Sequence, residues 1–245
     1  DSGTFKVSDE YTFKHSVDVA TMGMVVARKY GLSDIEVFDI GVAGLLHDIG
    51  KSRISNELLN KPGRLSEEEF RHMKQHSVYG YEIIKNKSEL KESIKLAVLQ
   101  HHEKINGTGY PFGMDSSKIC TFAKILSVLD IYDALVTERP YKEAYTPRDA
   151  VEMIMAMTSE LDMKAMKSSL GSVILYPVDS IVNLEQYKAN MYKTGKIEAL
   201  DNDTDIYSRI KQDASRTITE DLDLTTGWLE LSDEKRDRMN SLCTG

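Results

Sequence analysis

Cysteine is scarce. Two residues in 245, Cys120 and Cys243, lie far apart, which excludes a disulfide framework and a thiolate metal site and fits a reducing, cytoplasmic compartment. Long apolar runs are also missing. Stretches such as Ile40 to Leu46 are far too short to cross a bilayer, and no charged-then-apolar leader opens the chain, so no membrane segment is expected. Positive charge is in deficit: 31 Lys and Arg against 39 Asp and Glu leave a formal charge of -8, and no basic stripe appears. DNA and broad nucleic-acid binding are therefore not expected. A small anionic substrate stays open, because bound metal ions would neutralise carboxylates locally. Internal repeats and low-complexity segments are absent. A methionine at position 1 is absent too, and the helical pattern starts within about ten residues, so the chain is expected to be a piece of a longer protein with an upstream sensory domain.

What remains is a globular composition, 41% hydrophobic and 29% charged, enough for one core and an appendage. Its periodicity is helical. Apolar residues recur from Tyr11 to Tyr30 and stop at Gly31, which puts His15 in the first turns of a helix. A buried helix over 34–46 ends at His47-Asp48, and a connection runs on to Pro62-Gly63. The Ser66/Glu69 capping-box spacing opens a third helix to about Lys85, through His72 and His76. Further helices are expected over 88–102, over 119–136, and from the Thr146-Pro147 cap to about Met166, with methionines as core filler. The glycine-rich stretch 106–113 must be a loop. Beyond it, short strands flank Pro177, and a polar, mostly helical or irregular tail follows.

The chemistry gathers on histidine and aspartate. His47-Asp48-Ile49-Gly50-Lys51 and His101-His102-Glu103, together with His15, His76 and Asp130, form a nitrogen and oxygen donor set that could hold two transition-metal ions sharing a carboxylate. Ligands spread over several helices meet only if those helices pack as a bundle around one cleft. Lys51, Arg139 and Lys142 could then hold phosphoryl oxygens. That machinery suits phosphoester hydrolysis. A lone histidine is more often a surface or core residue, and His72 is read that way, although it lies one turn from His76.

Taken together, these residues resemble the HD-GYP domains, a branch of the HD metal-dependent phosphohydrolases. The resemblance rests on His15-Ser16, the His47 to Lys51 motif, His76 with Gly80, His101-His102-Glu103, Gly107-Thr108-Gly109-Tyr110-Pro111, Asp130 to Leu135, and Arg139-Pro140-Tyr141. It implies an all-α HD-domain helical bundle over 1–168, with a small extension over 169–245. It implies that His15, His47, Asp48 and Asp130 make one metal site, that His76, His101 and His102 build a second, and that Asp48 bridges them. Asp48 and Lys51 then serve catalysis, Lys51, Arg139 and Lys142 match phosphate-contacting positions, and Gly109, Tyr110 and Pro111 shape the wall where a guanine or a partner docks. Tyr110 as mere packing is the plainer alternative.

The resemblance implies a bacterial phosphodiesterase hydrolysing cyclic di-GMP to linear pGpG, and onward to GMP, through a hydroxide bridging two divalent ions, iron or manganese. It leaves room for a homodimer and for a diguanylate cyclase (GGDEF) partner. Two other readings stand beside it: an HD phosphohydrolase for another cyclic dinucleotide, and a weakly active or inactive cyclic-di-GMP sensor. The chain departs from the family pattern in three places. Tyr11 stands where some relatives carry the glutamate of a third metal, so the site is expected to be binuclear. Asn106 replaces a frequent aspartate, and Ser77 a frequent proline. Neither removes a ligand.

Overall fold

A computed structural model describes residues 3–138 and 144–172, with side chains from residue 12 onward. Among these residues there is no strand, and the architecture is all-α. The helices are α1 (Gly3–Tyr30), α2 (Asp34–Leu46), α3 (Asn56–Leu59), α4 (Glu67–Met73), α5 (Gln75–Ile84), α6 (Glu92–Gln100), α7 (Thr121–Val136), α8 (Pro147–Met155) and α9 (Met163–Leu170), and a 3-10 turn over Ile49–Arg53 follows α2. No described helix is long and apolar enough to cross a membrane. The strands expected around Pro177, the tail and Cys243 lie outside the described residues.

One core joins α1, α2, α6, α7, α8 and α9, with Val19, Ala27, Ile40, Ala43, Ala97, Ile125, Leu126 and Leu129 at its centre. Small residues bring α1 and α2 together. A Cβ on Gly44 would sit 2.6 Å from the Ala20 Cα, so the two backbones touch directly. That contact fixes His15 on α1 beside His47 at the end of α2.

Local signals account for most boundaries. Ser33 and Ser66 each close a full capping box, with Glu36 and Glu69 respectively. Thr146 caps α8 with Pro147 at its first position, and Gly31 adopts φ 93° after α1. Four expectations are corrected. Helix α1 begins at Gly3, so His15 lies mid-helix rather than in the first turns. The helix expected to run unbroken to Lys85 bends at Lys74, whose N–H donates to the carbonyls of both Phe70 and His72. The helix expected over 88–102 is confined to Glu92–Gln100. The one expected to reach Met166 stops at Met155; Thr158-Ser159 support helix weakly, and Asp162 then accepts from Ala165 N to start α9.

Two further contacts place the site. After α2 the chain turns so tightly that a Cβ on Gly50 would lie 1.8 Å from the His76 carbonyl oxygen and 2.4 Å from Gly80 N, which packs the 3-10 turn on the α5 backbone. At the end of α6, Gln100 Oε1 accepts the Cys120 N–H at 2.9 Å, tying the last residue of α6 to the residue before α7.

Candidate metal centre

Five of the six histidines converge in the bundle. The donor set His15, His47 and Asp48 comes from α1 and the end of α2, and the set His76, His101 and His102 from α5 and the end of α6. His101 caps α6 and His102 follows it. Successive residues inside a helix diverge by about 100°; because α6 ends here, the two rings instead lie 4.0 Å apart and serve one cluster.

The polar atoms are crowded. His15 Nε2 lies 3.1 Å from His47 Nε2 and 3.1 Å from Asp130 Oδ1. His76 Nε2 lies 3.2 Å from His101 Nε2 and 3.1 Å from His102 Nε2. Asp48 stands between the clusters: its Oδ2 is 3.3 Å from His47 Nε2 and 3.7 Å from His15 Nε2, while its Oδ1 is 3.5 Å from His76 Nε2. Asp130 also reaches both, with Oδ2 3.7 Å from His102 Nδ1. Lys51 Nζ pairs with Asp48 Oδ2 at 2.7 Å.

Outer hydrogen bonds decide which ring nitrogens carry protons. His47 Nδ1 meets the Gly44 carbonyl at 2.7 Å, His76 Nδ1 the Met73 carbonyl at 2.8 Å, and His101 Nδ1 the Val98 carbonyl at 2.8 Å. A carbonyl only accepts, so each Nδ1 is the protonated donor and each Nε2 presents a lone pair. His15 Nδ1 donates instead to Asp133 Oδ2 at 2.6 Å, and Thr137 Oγ1 supports the other oxygen of that carboxylate at 3.2 Å. Lone pairs facing one another near 3 Å, beside two carboxylates, repel unless a cation lies among them. The donor chemistry therefore fits divalent metal ions, with outer partners that orient His15, His47, His76 and His101.

Charge follows the same logic. Burial alone would raise the Asp48 carboxyl, but Lys51 and His47 outweigh it and hold it well below the usual carboxylate range. Asp130 is held low as well, burial being overcome by His15 and His102. Burial, then His47 and His76, pushes His101 down to about 3, so its ring is neutral as a ligand must be. Burial also opposes a charge on His15, yet Asp130 and Asp133 push it up to about 10, which marks that spot as the place where positive charge is most favoured.

The glycine-rich loop borders the second cluster. A Cβ on Gly109 would lie 2.3 Å from Lys104 N and 2.5 Å from the His102 carbonyl oxygen, so only glycine lets the loop lie against the His102 backbone. Tyr110, next in the chain and joined to Pro111 by a cis bond, stacks on the His102 ring with centroids 4.6 Å apart and planes at 27°. His72 is exposed on α4. Arg139 and Lys142 lie outside the described residues. Two buried carboxylates stand in the sequence motifs but were given no role of their own there: Asp133, behind His15, and Glu103, which accepts from Phe112 N and Met114 N at 2.7 and 2.8 Å. The three-residue step from Asp130 to Asp133 was the available signal for the first.

A profile of the family described as HD domain matches residues 7–165. Among curated relatives, the chain is 37% identical over 180 residues to "Cyclic di-GMP phosphodiesterase PA4108" of Pseudomonas aeruginosa, covering 74% of this chain and 44% of that protein. It is 41% identical over 145 residues to "3'3'-cGAMP-specific phosphodiesterase 3" of Vibrio cholerae, covering 59% and 31%. The chain thus spans less than half the length of these relatives. A solved structure, "Bd1817, a HDG"Y"P protein from Bdellovibrio bacteriovorus", superposes with a TM-score of 0.56 at 24% identity, over 64% of this chain and 51% of that one.

Proposed function

We propose a reaction from one premise: the chain belongs to the HD-domain family, and its motif residues are those of the HD-GYP branch. It is a metal-dependent phosphodiesterase that opens cyclic di-GMP to linear pGpG, with onward cleavage to GMP. The observation that carries this reading is the pair of three-donor clusters joined through Asp48, itself a donor of the first, whose second oxygen faces His76 of the other. The substrate class is supported by relatives named as cyclic di-GMP phosphodiesterases.

In this reading His15, His47, Asp48 and Asp130 hold one divalent ion, and His76, His101 and His102 hold a second, with Asp48 shared. Two such ions, when bound, would supply an activated water and charge neutralisation for in-line displacement at phosphorus. Iron or manganese suits the mixed imidazole and carboxylate donors. Asp48 stays anionic between the clusters. Lys51, 2.7 Å from Asp48, fixes that carboxylate and offers its remaining donors to the scissile phosphate, while Arg139 and Lys142 complete the phosphate contacts and Gly109, Tyr110 and Pro111 form the wall of the substrate site. The catalytic unit is the helical part, 1–168, and residues 169–245 are an extension. The enzyme works in the bacterial cytoplasm, in keeping with its few cysteines.

A second reading has an observation of its own, the 41% identity to a 3'3'-cGAMP-specific enzyme. The test is to load the chain anaerobically with iron or manganese and follow products from cyclic di-GMP, 3'3'-cGAMP and cyclic di-AMP, beside a His47→Ala, Asp48→Ala control. Turnover of cyclic di-GMP that disappears in the control supports the proposal. Preference for 3'3'-cGAMP moves the substrate, and binding without turnover of any of the three leaves a sensor.

A further inference from the structure

Four of the five clustered histidines are oriented by a hydrogen bond from Nδ1, to a backbone carbonyl for His47, His76 and His101 and to the Asp133 carboxylate for His15. His102 is the exception. Among the described residues its Nε2 faces His76 Nε2 at 3.1 Å and its Nδ1 lies 3.7 Å from Asp130 Oδ2, beyond hydrogen-bond range. Both nitrogens look into the cluster, so no outer acceptor fixes the ring. Its flat face is covered instead by Tyr110, nearly parallel to it.

The loop that carries Tyr110 is itself pinned. Glu103, the residue after His102, is 3% exposed, and both its oxygens are used on the far side of the loop, by Phe112 N and Met114 N. Tyr110 N also donates to the His102 carbonyl at 3.1 Å, so the tyrosine is tied to the backbone of the histidine it covers. From outside, Phe70 meets the Tyr110 ring edge-on with centroids 6.3 Å apart, and the Lys74 ammonium lies 5.5 Å from the Tyr110 centroid. A buried carboxylate with two short charge-assisted bonds is a costly arrangement to leave unpaired. Its placement here has one evident effect, which is to hold Tyr110 against His102.

We infer that Tyr110 and Glu103 are positioning residues for the second ion, Tyr110 doing by ring stacking for His102 what a hydrogen-bond acceptor does for the other four histidines. This rests on the binuclear reading of the site and deepens it. An imidazole bound to a cation carries positive character, and a tyrosine face attracts such a ring. The stack is therefore stronger with the ion present, and ion and loop stabilise each other. Tyr110 acts through His102 even if the same residue also borders the substrate.

The test reads metal rather than turnover. The parent chain, Tyr110→Ala, Tyr110→Phe and Glu103→Gln are titrated anaerobically with Mn(II), counting ions per chain and recording the spin-coupled signal of a manganese pair. Outer partners of metal ligands are typically worth about 10–100-fold in affinity. Tyr110→Ala is expected to lose second-ion affinity in that range, and the pair signal with it, while the first ion binds as in the parent. Tyr110→Phe is expected to retain both ions. Glu103→Gln, which turns an NH2 group toward one of the two loop N–H donors, is expected to shift in the same direction as Tyr110→Ala. First-ion binding in each variant certifies that it is folded. Two ions bound by Tyr110→Ala and Glu103→Gln with parental affinity would overturn the positioning role and leave the phosphodiesterase reading intact. A parent that binds a single ion would overturn the binuclear reading, and this inference with it.

Discussion

Replacing Gly50 by alanine adds one methyl group where there is no room for it. The new carbon would lie 1.8 Å from the His76 carbonyl oxygen and 2.4 Å from Gly80 N, whereas real Cβ atoms essentially never come within 3.0 Å of another heavy atom. Both obstacles are backbone, so no rotamer change relieves them, and the 3-10 turn must move off α5 by more than an ångström. Overpacking typically costs about 1–3 kcal/mol; with main chain on both sides, the upper end, about 3 kcal/mol, is expected. For a protein of this size that corresponds to a fall in Tm of roughly 6–12 °C. The displacement also parts Asp48 from His76, now 3.5 Å apart, so second-ion binding should fall with stability. The assay is thermal unfolding followed by circular dichroism, with ions counted in the same samples. Gly63→Ala is the control. It too adds a methyl group, at φ +89° but with nothing within 4 Å, and should cost only about 1–2 kcal/mol of backbone strain, with both ions kept. A Gly50→Ala protein that melts with the parent and binds two ions would refute the reasoning from contact to site.

Asp133→Asn keeps the shape behind His15 but removes the charge that its Nδ1–H meets at 2.6 Å; first-ion affinity should fall about 10–100-fold, read by competitive metal titration, with the second ion less affected. Chelation should lower Tm by several degrees, since a ligand present at 100 times its Kd stabilises by about 2.7 kcal/mol per site; an identical Tm before and after stripping would mean that the facing lone pairs are not relieved by metal. Ser66→Ala removes the capping box that opens α4 without touching a candidate ligand and should cost about 1 kcal/mol in thermal or urea unfolding, with ion binding unchanged.

The histidines and aspartates that converge at the candidate centre were legible because their types are rare and their chemistry is narrow: imidazoles and aspartates in such motifs have few other reasons to recur together. Helix starts marked by Ser66 or Thr146-Pro147 were legible for a similar reason, a local hydrogen bond that the side chain itself supplies. The breaks at Lys74 and after Met155 were not, because the apolar pattern continues across both. Asp133 and Glu103 stood in the motifs, but their roles were not legible, since a carboxylate in sequence looks solvated; what they do depends on a histidine ring in one case and loop amides in the other, and no one-dimensional spacing encodes the second. Tyr110 was expected at a substrate wall, and in the fold its ring stacks on the imidazole of His102.

The Gln100–Cys120 hydrogen bond also bears on how the chain is connected. The peptide leaves the bundle at the end of α6 and rejoins it at the start of α7, where the Gln100 side chain joins the two ends, so the stretch between them, with the histidine pair and Tyr110, is a detour closed at its base by Gln100 and held further out by Glu103 and by the Ile105 N–H on the Glu160 carbonyl. The entropy of closing such a loop rises only slowly with its length. Residues can therefore be added or removed toward its outer rim at little cost to either helix, and the loop can diversify while the helical frame stays fixed.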